Sequence, residues 1–158
     1  MAPTSTPTTT GVSAKPDAAL WLTSYIVVAD MARTIRFLTE GLGFTLGDTM
    51  AGPDGPIHAE FHYKDVIVLM AAPEGTDGNP LKAPKTMGVP MPFNFYLYCD
   101  DVDAAYDRAL AAGALSEEAP TDQFWGDRTA RVTDPDGYSW MLATKVGDFD
   151  PAKAPPAA

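Results

Sequence analysis

Tyr25-Ile26-Val27-Val28-Ala29-Asp30-Met31 and Phe95-Tyr96-Leu97-Tyr98-Cys99-Asp100-Asp101-Val102 are two versions of one passage: a strand, an aspartate and the first residue of a helical stripe. β-Branched and aromatic residues suit a pleated surface, and an aspartate carboxylate accepts hydrogen bonds from the free amides that open a helix. After Asp30, the apolar residues Met31, Ile35, Leu38 and Leu42 recur at helical spacing, with Arg33, Arg36 and Glu40 on the other side, until Gly41 and Gly43 stop the helix. After Asp101 the same stripe is built by Val102, Tyr106, Ala109 and Leu110 and ends at Gly113. Asp101 stands 71 residues after Asp30, so the chain contains an internal repeat.

Three stretches with strand character follow each helix: Phe44 to Leu46, Ile57 to Tyr63 and Val66 to Met70, then Leu115 to Ser116, Thr129 to Val132 and Tyr138 to Ala143. Each half therefore reads β-α-β-β-β, and the class is α+β. Asp134-Pro135-Asp136-Gly137 has the chemistry of a tight hairpin, with Pro where φ is fixed and Gly where φ turns positive; Lys64-Asp65 is its weaker counterpart. The repeat predicts one domain over residues 19–146, with modules at about 19–75 and 90–146. The segment Ala71 to Pro92, crowded with Gly and Pro, joins them and is long enough to form a lid or binding loop. Residues 1–18 and 147–158 are biased toward Thr, Pro and Ala and are expected to be disordered tails.

The composition narrows the function. A chain of 158 residues with 46% apolar and 20% charged residues is ordinary for a globular domain. Its net charge of −10, from 21 acids and 11 bases, repels phosphate backbones and anionic membrane surfaces, so neither nucleic acid nor membrane is an expected partner. Cys99 alone forms no internal disulfide, and no apolar run is long enough for a signal peptide or a bilayer span. A cytoplasmic location is expected.

Asp30 to Phe44, with Phe37 and the closing Gly41-Leu42-Gly43-Phe44, resembles the first helix of the glyoxalase, bleomycin-resistance and dioxygenase superfamily, the vicinal-oxygen-chelate class. Phe124-Trp125-Gly126-Asp127-Arg128, followed by Asp134-Pro135-Asp136-Gly137-Tyr138-Ser139-Trp140-Met141-Leu142-Ala143-Thr144, is similar to its PhnB-like branch. The resemblance implies two βαβββ modules forming a curved mixed-sheet pocket and a homodimer, sometimes made by exchanging modules. It also implies a divalent metal held by one residue from the first strand and one from the last strand of each module, usually His, Gln or Glu. The residues at those places here are Thr23, Asn94, Met141 and either Leu69 or Met70. Such a set lacks the charge and nitrogen donors of a transition-metal site, so neither metal nor cofactor is expected.

In the metal's place, strand alternation puts Tyr25 on the face of Thr23, Tyr96 and Tyr98 on that of Asn94, and Ser139 and Ala143 beside Met141. Trp125 is a candidate stacking partner and Arg128 a candidate cation for an anionic group, with an Asp127–Arg128 ion pair as the structural reading. Trp140, of opposite parity to Met141, is expected to pack beneath the second helix. His58, Glu60 and His62 share one strand face. The histidines are a conceivable metal pair lacking a third donor, Glu60 a conceivable general base, and a solvated polar face accounts for all three. The leading reading is thus a metal-free protein binding an aromatic or amphipathic small molecule through Thr23, Tyr25, His58, Glu60, Asn94, Tyr96, Trp125, Arg128 and Met141. The alternative is a lyase, isomerase or dioxygenase of the superfamily with unusual catalytic residues.

Overall fold

Asp30 and Asp101 fix the starts of both long helices. In the computed structural model, which describes residues 13–156, both have extended backbone, φ −144° and −145°. Their carboxylates accept hydrogen bonds from the Arg33 and Ala104 amides, each at 3.0 Å. The first module runs β1 (Ala19–Val28), α1 (Met31–Arg36), a π-helical turn (Phe37–Gly41), β2 (Thr45–Gly52), β3 (Gly55–Tyr63) and β4 (Val66–Pro73). A linker carrying the short helix α2 (Pro84–Met87) leads to β5 (Asn94–Tyr98), α3 (Val102–Ala111), β6 (Leu115–Asp122), β7 (Asp127–Thr133) and β8 (Ser139–Lys145).

The strands form two four-stranded mixed sheets of equivalent order, β1-β4-β3-β2 and β5-β8-β7-β6, with β1·β4 and β5·β8 parallel and the other pairs antiparallel. This is the expected α+β, twice-βαβββ architecture. Edge strands β2 and β6 run well past their apolar residues because backbone ladders, not side-chain burial, hold them; Pro120 is tolerated on β6 because that strand is an edge. The first helix is shorter than its stripe predicts. It loosens into the π turn, where Gly41 lies so close to α3 that a Cβ there would stand 2.9 Å from Ala112 Cβ.

Both sheets turn one face toward a single apolar core. Ile26, Val28, Phe61, Leu69 and Ala71 from the first sheet and Ala130, Val132, Trp140 and Leu142 from the second belong to one buried cluster with Phe37, Leu38, Val102 and Ala109 of the helical segments. Trp140 joins the two halves: its ring centroid lies 5.9 Å from that of Phe44 in the first module and 4.6 Å from that of Phe95 in the second. It therefore packs between the modules as well as beneath the second helix. By strand alternation, the other face of each sheet points away from this shared core.

Polar contacts fasten the modules together. The Asp136 carboxylate accepts from the Ala29 amide (3.0 Å), Arg33 Nη2 (2.8 Å) and Thr34 Oγ1 (2.7 Å). The Tyr138 hydroxyl donates to the Val27 carbonyl at 2.8 Å and accepts from the Val27 amide at 3.2 Å. Across the repeat, the Lys64-Asp65 turn, both residues with φ near +50° to +70°, reaches the second module through a Lys64–Asp100 ion pair.

The segment from 147 does not behave as the tail its composition suggests. The Asp150 amide donates to the Phe124 carbonyl at 2.8 Å, and Phe149 meets Phe124 at a centroid distance of 5.9 Å. The Phe149–Phe124 ring contact and the backbone bonds tie down what its Pro- and Ala-rich neighbours would not. Of the expected tails, residues 1–12 and 157–158 lie outside the described residues.

Candidate functional site

On the outward face of the first sheet, register brings Tyr25, Met70 and Glu60 into one row, with His58 one step along β3. The Tyr25 hydroxyl and His58 Nδ1 are 3.0 Å apart, and His58 Nε2 lies 3.8 Å from Glu60 Oε1. The His58 and Glu60 side chains are 24% and 21% exposed. His62 shares the face but covers Gly47, where a Cβ would stand 2.5 Å from its Nε2. Thr23 spends its hydroxyl on the backbone, donating to the Leu20 carbonyl at 3.3 Å beside an irregularity in β1.

The outward face of the second sheet repeats these rows. Asn94, Ser139 and Thr133 form one row, Tyr96, Met141 and Arg131 the next, and Tyr98, Ala143 and Thr129 a third. The Ser139 hydroxyl donates to Asn94 Oδ1 at 2.5 Å. Asp127 is buried at the far end, where its Oδ2 accepts from Tyr96 (2.8 Å), Tyr98 (2.9 Å) and Trp125 Nε1 (3.2 Å). Burial, with a contribution from the Asp127 carboxylate, pushes the Tyr96 phenol up to about 12. At the near end, the linker from Pro84 to Met91 walls a cleft of about 700 Å³ whose floor includes Asn94, Arg131, Thr133 and Ser139.

Two expectations are corrected by this geometry. Arg128 does not reach the outward face: it has the parity of the buried Ala130 and Val132 and turns toward the helix, where it binds Asp103 with Nε and Nη2 (2.7 and 2.9 Å) and Asp122 with Nη1 (2.9 Å). It also forms no pair with Asp127, which lies on the opposite face. Arg131 is a cation that does lie on the outward face, one row from the Asn94 position; its Nη2 meets Glu118 and its Nε is buried without a partner. The alternation Ala130-Arg131-Val132 was a signal that could have identified it.

The second correction concerns the pocket. The opposite faces of both sheets meet in the one buried cluster, so by alternation the face carrying Tyr25, His58 and Glu60 and the face carrying Asn94, Tyr96 and Met141 each turn away from that shared core rather than toward each other across it. Tyr25, Tyr96 and Tyr98 remain 55%, 46% and 56% exposed. The structure brings together Tyr25, His58 and Glu60 on one side, and Asn94, Tyr96, Trp125 and Met141 on the other.

Residues 19–142 match the Glyoxalase/Bleomycin resistance protein/Dioxygenase superfamily. The chain belongs to this superfamily. An uncharacterised protein of Mycobacterium tuberculosis is 34% identical over 132 residues, covering 82% of this chain and 76% of that protein. A relative from Mycobacterium bovis has the same identity over 82% of this chain and 86% of its own length. Among solved structures, a glyoxalase/bleomycin resistance protein/dioxygenase family enzyme from Burkholderia phytofirmans superposes with a TM-score of 0.61 at 16% identity, covering 82% of this chain and 98% of that one. TioX from Micromonospora gives 0.57 at 21% identity, covering 79% and 99%. Both likenesses concern the fold.

The superfamily's metal does not fit the residues present. Register resolves the first module's last-strand position as Met70, which pairs with Tyr25 as Met141 pairs with Tyr96; Leu69 is buried in the core. The four places thus hold a hydroxyl engaged by backbone, an amide oxygen engaged by Ser139 and two thioethers, a weak set for a divalent ion. Among the described residues, no three His, Cys, Asp or Glu side chains converge to supply another site.

Proposed function

We propose that the protein binds a flat, partly apolar small molecule without a metal, in a pocket assembled when the outward first-module face of one copy meets the outward second-module face of another. The observation that carries this reading is the pair of exposed aromatic faces matched residue for residue at an offset of 71: Tyr25 with Tyr96, Met70 with Met141, and the acid Glu60 with the base Arg131. Stacked in a homodimer, the faces are complementary in charge and place aromatic rings and thioethers around a shared space, the lining that holds flat ligands. Trp125, hydrogen-bonded at the rim, is the stacking candidate. The Phe124 to Arg128 and Asp134 to Thr144 stretches support the PhnB-like branch, and the half-buried, unpaired Cys99 supports a cytoplasmic setting. Among the described residues no helix is long and apolar enough to cross a membrane, and the acidic charge argues against nucleic-acid partners.

Light scattering should find a dimer, and titration with a panel of aromatic and amphipathic compounds should change tryptophan fluorescence saturably, with affinity weakened by Tyr96→Ala. A monomer, or the absence of saturable binding across the panel, overturns the reading. The enzyme alternative is favoured by one observation, the Tyr25–His58 contact.

A further inference from the structure

The contact orients a proton path. An imidazole has one donor and one acceptor nitrogen when neutral, and the side near a carboxylate keeps the hydrogen. Assigning the proton to Nε2, which lies 3.8 Å from Glu60 Oε1, leaves Nδ1 to accept from the Tyr25 hydroxyl at 3.0 Å. In that tautomer the phenolic hydrogen is committed to His58, and the lone pairs of Tyr25 Oη are left for a ligand, on a residue 55% exposed. Tyr25 is thus set to accept a proton from a ligand rather than to give one. Base orientation by a third group is the arrangement that makes such a pair effective.

We propose that Tyr25 and His58 are the catalytic residues of a metal-free proton transfer, with Glu60 as positioning residue, acting on small carbon acids that carry a carboxylate, of which 2-oxo acids are the simplest. The inference rests on the assembled pocket described above, which brings Arg131 of a second copy opposite this face to hold the carboxylate and offset charge on the carbanion's oxygen. The C–H bond α to the carbonyl breaks, its proton passes to Tyr25 Oη while the phenolic proton passes to His58 Nδ1, and the C–H electron pair enters an enolate. The imidazolium is paired with Glu60. Reversal returns a solvent-derived proton to carbon, so no oxidant or reductant takes part.

Pyruvate in D₂O is the probe, with the chelator-treated full chain and loss of the methyl signal followed by proton NMR. The expected result is exchange at least about tenfold above buffer, a barrier lowered by roughly 1.4 kcal/mol. It should be abolished by Tyr25→Phe and His58→Gln, and its pH profile displaced by Glu60→Gln, with circular dichroism unchanged in all three. Nitrogen-15 NMR should show neutral His58 protonated at Nε2. Neutral His58 protonated at Nδ1, or exchange that survives Tyr25→Phe, overturns the relay. Light scattering on the same samples separates the two readings: a dimer without exchange overturns the relay alone, a monomer that exchanges overturns the assembled pocket and with it the role of Arg131 but not the relay, and a monomer without exchange overturns both.

Discussion

Arg33 Nη2 lies 2.8 Å from Asp136 Oδ1, joining the helix of the first module to the hairpin turn of the second through a carboxylate only 2% exposed. Thr34 and the Ala29 amide complete its coordination. Asp136→Ala leaves the Thr34 hydroxyl and the Ala29 amide without their acceptor, and a buried polar group left unsatisfied costs about 1–3 kcal/mol. Urea unfolding should show that loss with little change in slope. Arg33→Ala leaves the buried carboxylate without its counter-charge, held only by the Thr34 hydroxyl and the Ala29 amide, and should also lower stability.

Much of this fold was legible in the sequence because repeated local chemistry specifies it. Asp30 and Asp101 cap helices as their positions predict, and the alternation of Ile26, Val28, Trp140 and Leu142 identifies the core. The site was legible only by face. Alternation says that Tyr25 and Tyr96 lie opposite the core in their own sheets, but not whether those sheets turn the same way. That depends on contacts far apart in the chain, such as Tyr138 with Val27, which no periodicity encodes. Arg128 was misplaced for a simpler reason: its neighbours Asp127 and Thr129 are buried and polar, so the inward parity of β7 becomes plain only from Ala130 onward.

Asp134 should make stability fall as pH rises. Its carboxyl is buried, and despite hydrogen bonds from Trp140 and from the Tyr138 and Asp136 amides, desolvation raises it to about 6. An unfolded aspartate releases its proton near pH 3.9. Between those values the folded chain holds a proton that the unfolded chain has lost, so the contribution is fully present below about pH 4 and lost by about pH 6. Two units correspond to at most about 3 kcal/mol. Asp103, lowered by Arg128, acts oppositely and only below the usual carboxylate range. Unfolding free energies measured from pH 4 to 7 should therefore decline for the native chain and run flatter for Asp134→Asn.

Gly137 should resist replacement. Its φ is +91°, and an added Cβ would stand 2.8 Å from the backbone nitrogen of Lys85. That nitrogen donates to the Asp136 carbonyl at 2.9 Å, holding the linker against the hairpin. Gly137→Ala therefore combines left-handed strain with a backbone clash, each about 1–3 kcal/mol. Hydrogen exchange should show protection lost at Lys85 as well as an overall fall in stability.

The Tyr96 phenol offers a direct reading of the second outward face. Desolvation is the larger cause of its rise to about 12, and the Asp127 carboxylate, 2.8 Å away, adds to it by favouring the protonated phenol and opposing the phenolate. Tyr98 is raised by the same carboxylate, which accepts its hydroxyl at 2.9 Å. Asp127→Asn removes the charge but leaves an oxygen able to accept one of the two hydroxyls. Ultraviolet titration of the native chain should therefore show these phenols ionising later than an exposed tyrosine, and Asp127→Asn should bring both transitions down, with Tyr96 staying above the ordinary value of about 10 because its burial is unchanged. A titration that the substitution leaves unmoved would assign the whole rise to burial and remove Asp127 as the organiser of the tyrosine pair.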